Sequence, residues 1–351
     1  MVFDYIDGGA GTEVGLARNR AALDAICLQP RVLRDVSVRS LDTLLLGSLA
    51  RRPFGIAPMG MCNLSSPGAD LMLARLAARY EVPLGVSTVA STSMETLIEA
   101  AEGNAWFQLY FSGDGSGAFK LADRAHAAGY EVLVLTVDVP EVGRRPRELR
   151  HGFTMPFRIG PRQFLDFALH PAWSVSTLMQ GRPQMANFQM EGFTFDRTES
   201  RARATWDTLR SLRDAWKGKL VVKGILNVED AVSCQEAGAD AIQISNHGAR
   251  QLDSAPAPIS VLADIRQALG AQFPLFLDSG LRSGEDVLRS LNQGADFVFL
   301  GRILQFAIAA AGEEGLNRLW DVLSAELSNA MAQTGIDRLD KVPTETKTTE
   351  L

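Results

Sequence analysis

A chain of 351 residues, 46% hydrophobic and 22% charged, suits one large α/β barrel or two ordinary domains and excludes a disordered or fibrous protein. A net charge of -6 and a pI near 5.4 exclude nucleic acid as a general partner. Cys27, Cys62 and Cys234 are far apart, without CxxC spacing, so neither a disulfide framework nor a metal site is expected, and a reducing, cytoplasmic setting fits.

The start, Met1-Val2-Phe3-Asp4-Tyr5, lacks the basic and apolar regions of a signal peptide, and no apolar run approaches the roughly 20 residues that span a bilayer. Residues 1–52 carry the turn-rich Gly8-Gly9-Ala10-Gly11 and read as helix and loop packed on a barrel. Eight short apolar runs follow: Phe54 to Pro58, Leu84 to Ser87, Ala105 to Tyr110, Glu131 to Val137, Leu220 to Lys223, Asp240 to Ser245, Pro274 to Asp278 and Asp296 to Leu300. Most are continuous and rich in Val, Ile, Leu and Phe, as strands of a parallel sheet covered on both faces should be. Helical patterns such as Asp70 to Tyr80, Gly117 to Ala128, Val228 to Ala237 and Ser283 to Asn292 separate them.

This βα alternation predicts a (β/α)8 TIM barrel, one domain over 1–351, with a doubly wound sheet as the structural alternative. An internal echo, Gly238-Ala239-Asp240 and Gly294-Ala295-Asp296, marks two equivalent helix stops before strands. Residues 151–205 form a long insertion after the fourth strand. It mixes Phe153, Phe157, Phe164, Phe167, Trp173, Met179, Met185, Phe188 and Phe193 with arginines. It reads as a partly helical lid, with peripheral membrane or subunit contact as the second reading.

Polar residues gather where the strands end, the rim on which barrels keep their sites: Ser87, Gln108, Tyr110, Thr136, Asp138, Lys223, Ser245, Asp278, Gly301 and Arg302. The most informative stretch is Ser245-Asn246-His247-Gly248-Ala249-Arg250-Gln251-Leu252-Asp253. It places an imidazole, able to move a proton near neutral pH, beside a guanidinium, able to grip a carboxylate. That pairing points to chemistry at the α-carbon of a 2-hydroxy acid.

Asp278-Ser279-Gly280-Leu281-Arg282 and Gly301-Arg302 follow the seventh and eighth strands, where barrels hold a ligand phosphate. One phosphate implies a mononucleotide-type cofactor. Gly113-Asp114-Gly115-Ser116-Gly117 has the wrong spacing for a dinucleotide fingerprint. Lys223 ends an apolar strand; it either sits against an electron-rich ring or forms a Schiff base, as in barrel lyases and aldolases. A third reading is a barrel that binds ligand without turnover.

With these pieces placed, the chain resembles the FMN-dependent 2-hydroxy acid oxidase and dehydrogenase family, from Phe3 to about Gly335. The nonapeptide around His247 and Arg250 carries the likeness. Phe107-Gln108-Leu109-Tyr110, Thr136-Val137-Asp138, Val222-Lys223-Gly224 and Asp278-Ser279-Gly280-Leu281-Arg282 support it in order. The stretch His170-Pro171-Ala172-Trp173 to Gly181-Arg182-Pro183 resembles the membrane-associated L-lactate dehydrogenases of that family.

The resemblance implies roles position by position. His247 would be the catalytic base and Asp138 would stabilise its imidazolium. Arg145 and Arg250 would hold the substrate carboxylate, and Tyr110 and Tyr5 would hydrogen-bond the substrate. Lys223 would lie near N1 and O2 of the flavin. Ala57, Pro58, Ser87, Gln108, Thr136 and Ser245 would line its ring, and Asp278 would bind the ribityl chain. Gly280, Arg282, Gly301 and Arg302 would cradle the phosphate. It also implies a homo-oligomer, a homotetramer in relatives. Val89 stands where glycolate oxidase has a tryptophan, which predicts a roomier substrate pocket.

Overall fold

The computed structural model describes residues 2–111, 115–152, 160–181, 183–188 and 201–342. An antiparallel hairpin, β1 (Thr43–Leu45) and β2 (Ser48–Ala50), leads into eight parallel strands that close on themselves. These are β3 (Phe54–Met59), β4 (Leu84–Ser87), β5 (Ala105–Tyr110), β6 (Val132–Thr136), β7 (Lys219–Ile225), β8 (Ala241–Ile244), β9 (Leu275–Leu277) and β10 (Phe297–Leu300). Val298 of β10 pairs with Phe54 of β3, so the ring has no open edge and the doubly wound alternative falls.

The eight expected apolar runs are these eight strands, within a residue or two at their ends. Each strand faces two apolar environments. Inward, Trp106, Phe276, Phe297 and Phe299 pack as a ring cluster, with Trp106 and Phe299 centroids 5.4 Å apart. Leu45 and Ala50 of the hairpin join this cluster and stop the end of the barrel where the strands begin. Outward, strand side chains meet helix faces such as Ala69, Leu73, Leu76 and Ala77 of the helix Ala69–Tyr80. Small residues at helical spacing let that helix approach closely.

The internal echo is a structural staple used twice. Gly238 and Gly294 end their helices at φ 85° and 106°. The next aspartates then tie neighbouring elements together. Asp240 accepts from the Leu220 amide at 2.9 Å and from Arg213 at 2.8 Å; Asp296 accepts from the Leu275 amide at 2.8 Å and from Arg266 at 2.6 Å.

The N-terminal segment holds two helices, Val2–Asp7 and Val14–Asp24, as well as the hairpin. In the insertion, the helices Pro161–Ala168 and Pro171–Gln180 pack through Phe167 and Trp173, whose rings lie 5.2 Å apart. Trp173 Nε1 donates to the Leu64 carbonyl at 2.9 Å, and the Ala186 amide to Ala90 at 3.0 Å, which pins this layer to the rim. Phe164, Leu165, Leu169, Val175, Leu178 and Met179 are exposed on it. Phe153, Phe157, Arg182, Phe193 and the Gly113-Asp114 pair lie outside the described residues.

Candidate active site

The nonapeptide after β8 is a wiring hub, and each of its polar side chains has a distinct partner. Ser245 donates to Asp278 at 2.6 Å and accepts from Lys223 Nζ at 2.7 Å. Asn246 exchanges hydrogen bonds with Asn19 at 2.7 and 3.0 Å, anchoring the helix Val14–Asp24. Gln251 accepts from the Gly143 amide at 3.0 Å, and Asp253 accepts from the Thr12 and Gly15 amides at 2.9 and 2.7 Å. His247, Gly248 and Ala249 all take positive φ, at 58°, 63° and 57°. Two of these three are not glycine, and holding them left-handed costs about 1–2 kcal/mol each, which this network must offset.

His247 Nδ1 meets Asp138 Oδ1 at 3.0 Å and Oδ2 at 3.3 Å. Asp138 sits on the loop after β6, and Gly224 makes room for it: a Cβ there, at φ 109°, would lie 2.6 Å from the Asp138 Cβ. Burial works to raise the Asp138 carboxyl, but the charges of His247 and Lys223 and the His247 hydrogen bond hold it below its ordinary value. It is therefore a fixed negative charge behind the ring. Nε2, the far nitrogen, faces the Tyr110 hydroxyl at 3.5 Å. Burial raises the Tyr110 and Tyr5 phenols, so both stay protonated donors.

Arg250 and Arg145 approach the same oxygen, Glu148 Oε1, at 3.0 and 3.3 Å. Two guanidiniums sharing one carboxylate leave a net positive charge, the condition for holding an incoming anion. Arg250 also donates to the Tyr5 and Gly8 carbonyls at 2.8 and 2.7 Å and stacks 5.2 Å from the Tyr5 ring centroid. Burial, and then the Arg145 charge, pushes its pKa below the ordinary arginine value. Glu148 escaped sequence reasoning, although an acid inside the basic run from Arg144 to Arg150 was the available signal.

Lys223 Nζ lies 3.1 Å from Asp278 and donates to Ser245, so its ammonium is engaged. This pairing favours the ring-side role over a Schiff base, which needs a free amine. Behind it, Ser87, Gln108 and Thr136 form a buried relay. Ser87 donates to Gln108 Oε1 at 3.1 Å and Gln108 Nε2 to Thr136 at 3.0 Å, with Asn187 of the insertion donating to the Ser87 carbonyl at 3.1 Å. Asn187 carried no recognisable motif.

Arg302 donates to the carbonyls of Ile6, Gly8 and Gly248. It is pushed below its usual pKa by burial and then by the Arg250 charge, with Arg282 adding to the effect. The repulsion among these guanidiniums is what a bound phosphate relieves. Gly248 leaves the approach open, since a Cβ there would sit 2.9 Å from Arg302 Nη1.

Tyr5, Ala57, Pro58, Tyr110, Arg145, Lys223, His247, Arg250, Asp278, Gly280, Arg282, Gly301 and Arg302 all face one cavity of about 310 Å³ at the C-terminal ends of the strands. Asp138, Ser87, Gln108, Thr136 and Ser245 stand behind that wall. The cavity thus gathers a guanidinium cluster, an ammonium–carboxylate pair and an imidazole, with Arg250 and Arg302 close enough to share the Gly8 carbonyl. A phosphate, a polar chain and a ring whose anionic form a cation favours suit these groups, which fits FMN. Among the described residues no cluster of three or more metal-ligating side chains exists.

Comparison with known proteins agrees with this geometry. The family model described as FMN-dependent dehydrogenase matches residues 1–348. The chain is 39% identical over 343 residues to the (S)-mandelate dehydrogenase of Pseudomonas putida, covering 95% of this chain and 86% of that one. It is 38% identical over 357 residues to an L-lactate dehydrogenase of Caulobacter sp. (strain K31), covering 97% and 92%. A crystal structure of the monotopic membrane protein (S)-mandelate dehydrogenase superposes with TM-score 0.93 at 38% identity, covering 97% of this chain and 93% of that one. A mandelate oxidase structure gives 0.83 at 35% identity, covering 97% and 92%. A closed barrel with one cation-rich cavity at its mouth, matched to the family model over residues 1–348, belongs among the FMN-dependent dehydrogenases of 2-hydroxy acids.

Proposed function

We propose that this enzyme oxidises an (S)-2-hydroxy acid with a bulky apolar side chain to the 2-oxo acid. The observation that carries the proposal is the His247–Asp138 pair opening on the same cavity as the Arg145–Glu148–Arg250 cluster. Arg145 and Arg250 hold the substrate carboxylate, exchanging part of their hold on Glu148 for it. Tyr110 and Tyr5 donate to the substrate oxygens. His247 Nε2 takes the substrate proton, and Asp138 stabilises the resulting imidazolium while fixing the ring's orientation. Bound FMN supplies the two-electron acceptor. Arg282, Arg302, Gly280 and Gly301 hold its phosphate, Asp278 its ribityl chain, and Lys223 the polar edge of its ring. Ala57 and Pro58 line that ring, with Ser87, Gln108, Thr136 and Ser245 ordering the wall behind.

Met61, Val89, Val139, Val142 and Met185 give the substrate end an apolar wall, and Val89 leaves room for an aromatic ring. This favours an aryl acid such as mandelate, the substrate named for two of the similar proteins. The exposed apolar face of the insertion supports peripheral docking on a membrane, as in the monotopic relative, with a quinone or cytochrome as acceptor and the cytoplasmic face as location. No described helix is long and apolar enough to cross a membrane. Exposed Val32, Leu33 and Val38 support a homo-oligomer, a tetramer by resemblance, of subunits that are each one barrel domain.

The test is anaerobic. (S)-Mandelate should bleach the bound flavin, and His247→Gln should keep the flavin while losing about 10²–10⁴-fold in reduction rate. A flavin left oxidised by mandelate, lactate and their homologues removes the assignment. Reoxidation by a quinone analogue rather than oxygen, with flotation on liposomes, checks the membrane reading.

A further inference from the structure

Most cations at the cavity have a partner or an assigned anion among the described residues; Arg201 has neither. Arg145 and Arg250 share Glu148, and Lys223 meets Asp278. Arg302 has three carbonyls and, with Arg282, is assigned to the cofactor phosphate. Arg201, near the end of the insertion, also faces this cavity. Its backbone amide is fixed to the Pro140 carbonyl at 3.0 Å, so its side chain is delivered from a set position. Its guanidinium lies over the Tyr110 ring, 4.9 Å from the centroid, and Tyr110 in turn reaches His247 Nε2 at 3.5 Å. Yet Nε of Arg201 is buried without an acceptor, and the guanidinium has no carboxylate partner among the described residues. A buried charged donor without an acceptor is costly, more so than a neutral one, so such a group is kept where a ligand supplies the acceptor.

The charge balance says which ligand. A cofactor phosphate answers Arg282 and Arg302, and a substrate carboxylate answers the surplus on Arg145 and Arg250. Arg201 is then left over, about one phenol ring away from the base. We infer that Arg201 is a specificity-determining residue that binds a second negative charge at the far end of the substrate, selecting 2-hydroxy acids with an apolar body and a distal carboxylate. This rests on the oxidation proposed above. The apolar wall takes the body, and the planar fork of Arg201 takes the second carboxylate in two parallel hydrogen bonds.

The experiment compares 4-carboxymandelate with mandelate by anaerobic flavin reduction in the holoenzyme and in Arg201→Leu and Arg201→Lys. The wild-type kcat/KM should favour the dianion, and the dianion-to-monoanion ratio should fall about tenfold or more in Arg201→Leu, equivalent to about 1.4 kcal/mol. Arg201→Lys, which keeps the charge and loses the fork, should fall between. Because a folding defect lowers both substrates together, the ratio isolates recognition. Equilibrium binding of terephthalate against benzoate, read from the flavin absorbance band, gives the same ratio without turnover and should lose its preference for the dianion. A wild-type preference for mandelate, or a ratio unmoved in Arg201→Leu, overturns the inference while leaving the oxidation intact. Flavin that neither acid reduces in the wild type overturns the oxidation itself, and this inference with it.

Discussion

Replacing Asp138 with asparagine separates two things the carboxylate does for His247. The amide can still hold Nδ1 near the 3.0 Å contact seen here, but it brings no charge. Once His247 accepts a proton, the wild type sets a carboxylate against an imidazolium with charge centres about 4 Å apart. At an effective dielectric constant of about 20 that attraction is worth about 4 kcal/mol. Part of it is already offset by Lys223, whose charge also acts on Asp138. A net loss of about 3–4 kcal/mol in the transition state corresponds to a flavin reduction rate lower by about 10²–10³-fold. Binding of a 2-oxo acid product should change little, because the Arg145–Glu148–Arg250 cluster is untouched. Stopped-flow anaerobic reduction gives the rate, and titration of the oxidised flavin with product gives the binding. A rate within about fivefold of wild type would refute the argument that charge on Asp138 drives the proton transfer.

Gly248→Ala should weaken FMN binding by about tenfold, because its Cβ meets Arg302 Nη1 and its φ of 63° costs about 1–2 kcal/mol for any other residue; fluorescence titration of the apoprotein measures it. Asp240→Ala and Asp296→Ala should each lower stability by about 1–3 kcal/mol in urea denaturation, Asp296→Ala more because Arg266 is the more buried arginine, with flavin reduction kept in both. Acid should destabilise the fold through Asp138 and Asp286. Both are held below the ordinary carboxylate value against burial, the first by His247 and Lys223, the second by Arg20 and Arg289. Their stabilisation is complete above the unfolded value of about 3.9 and is lost as pH falls through the lower folded values. Asp70, raised by burial, acts in the opposite sense and shallows the curve. The apoprotein's urea midpoint should therefore drop steeply below about pH 4; a flat profile there would contradict these pairings.

The barrel was legible because each strand is buried on both faces, which leaves an unbroken apolar run of strand length for each one. The hairpin β1–β2 was not. Its turn is Leu46-Gly47, both at positive φ (50° and 90°), and leucine there lacks the Asn or Asp that marks a two-residue hairpin turn. Helix was expected in the N-terminal segment, but the bounds of Val2–Asp7 and Val14–Asp24 were not readable, because tertiary bonds from Arg250, Arg302 and Asp253 hold these helices more than any amphipathic stripe does. Much of the candidate site was readable because chemistry-bearing residues are concentrated in one nonapeptide and at strand ends. Arg201 was not readable. It stands among Arg197, Arg201 and Arg203 with no spacing to distinguish it, and only the fold shows which of these meets Tyr110.

Ring closure between β10 and β3 has a consequence for how the molecule is made. Phe54 waits for Val298, and the carbonyls of Ile6 and Gly8 wait for Arg302. At a synthesis rate of about 5–20 residues per second, the first strand spends roughly 12–50 seconds outside the ribosome without its final neighbour. Throughout that interval Phe54 to Met59 is an uncovered apolar edge. Folding during translation therefore depends on keeping that edge from pairing with another chain until β10 has been made.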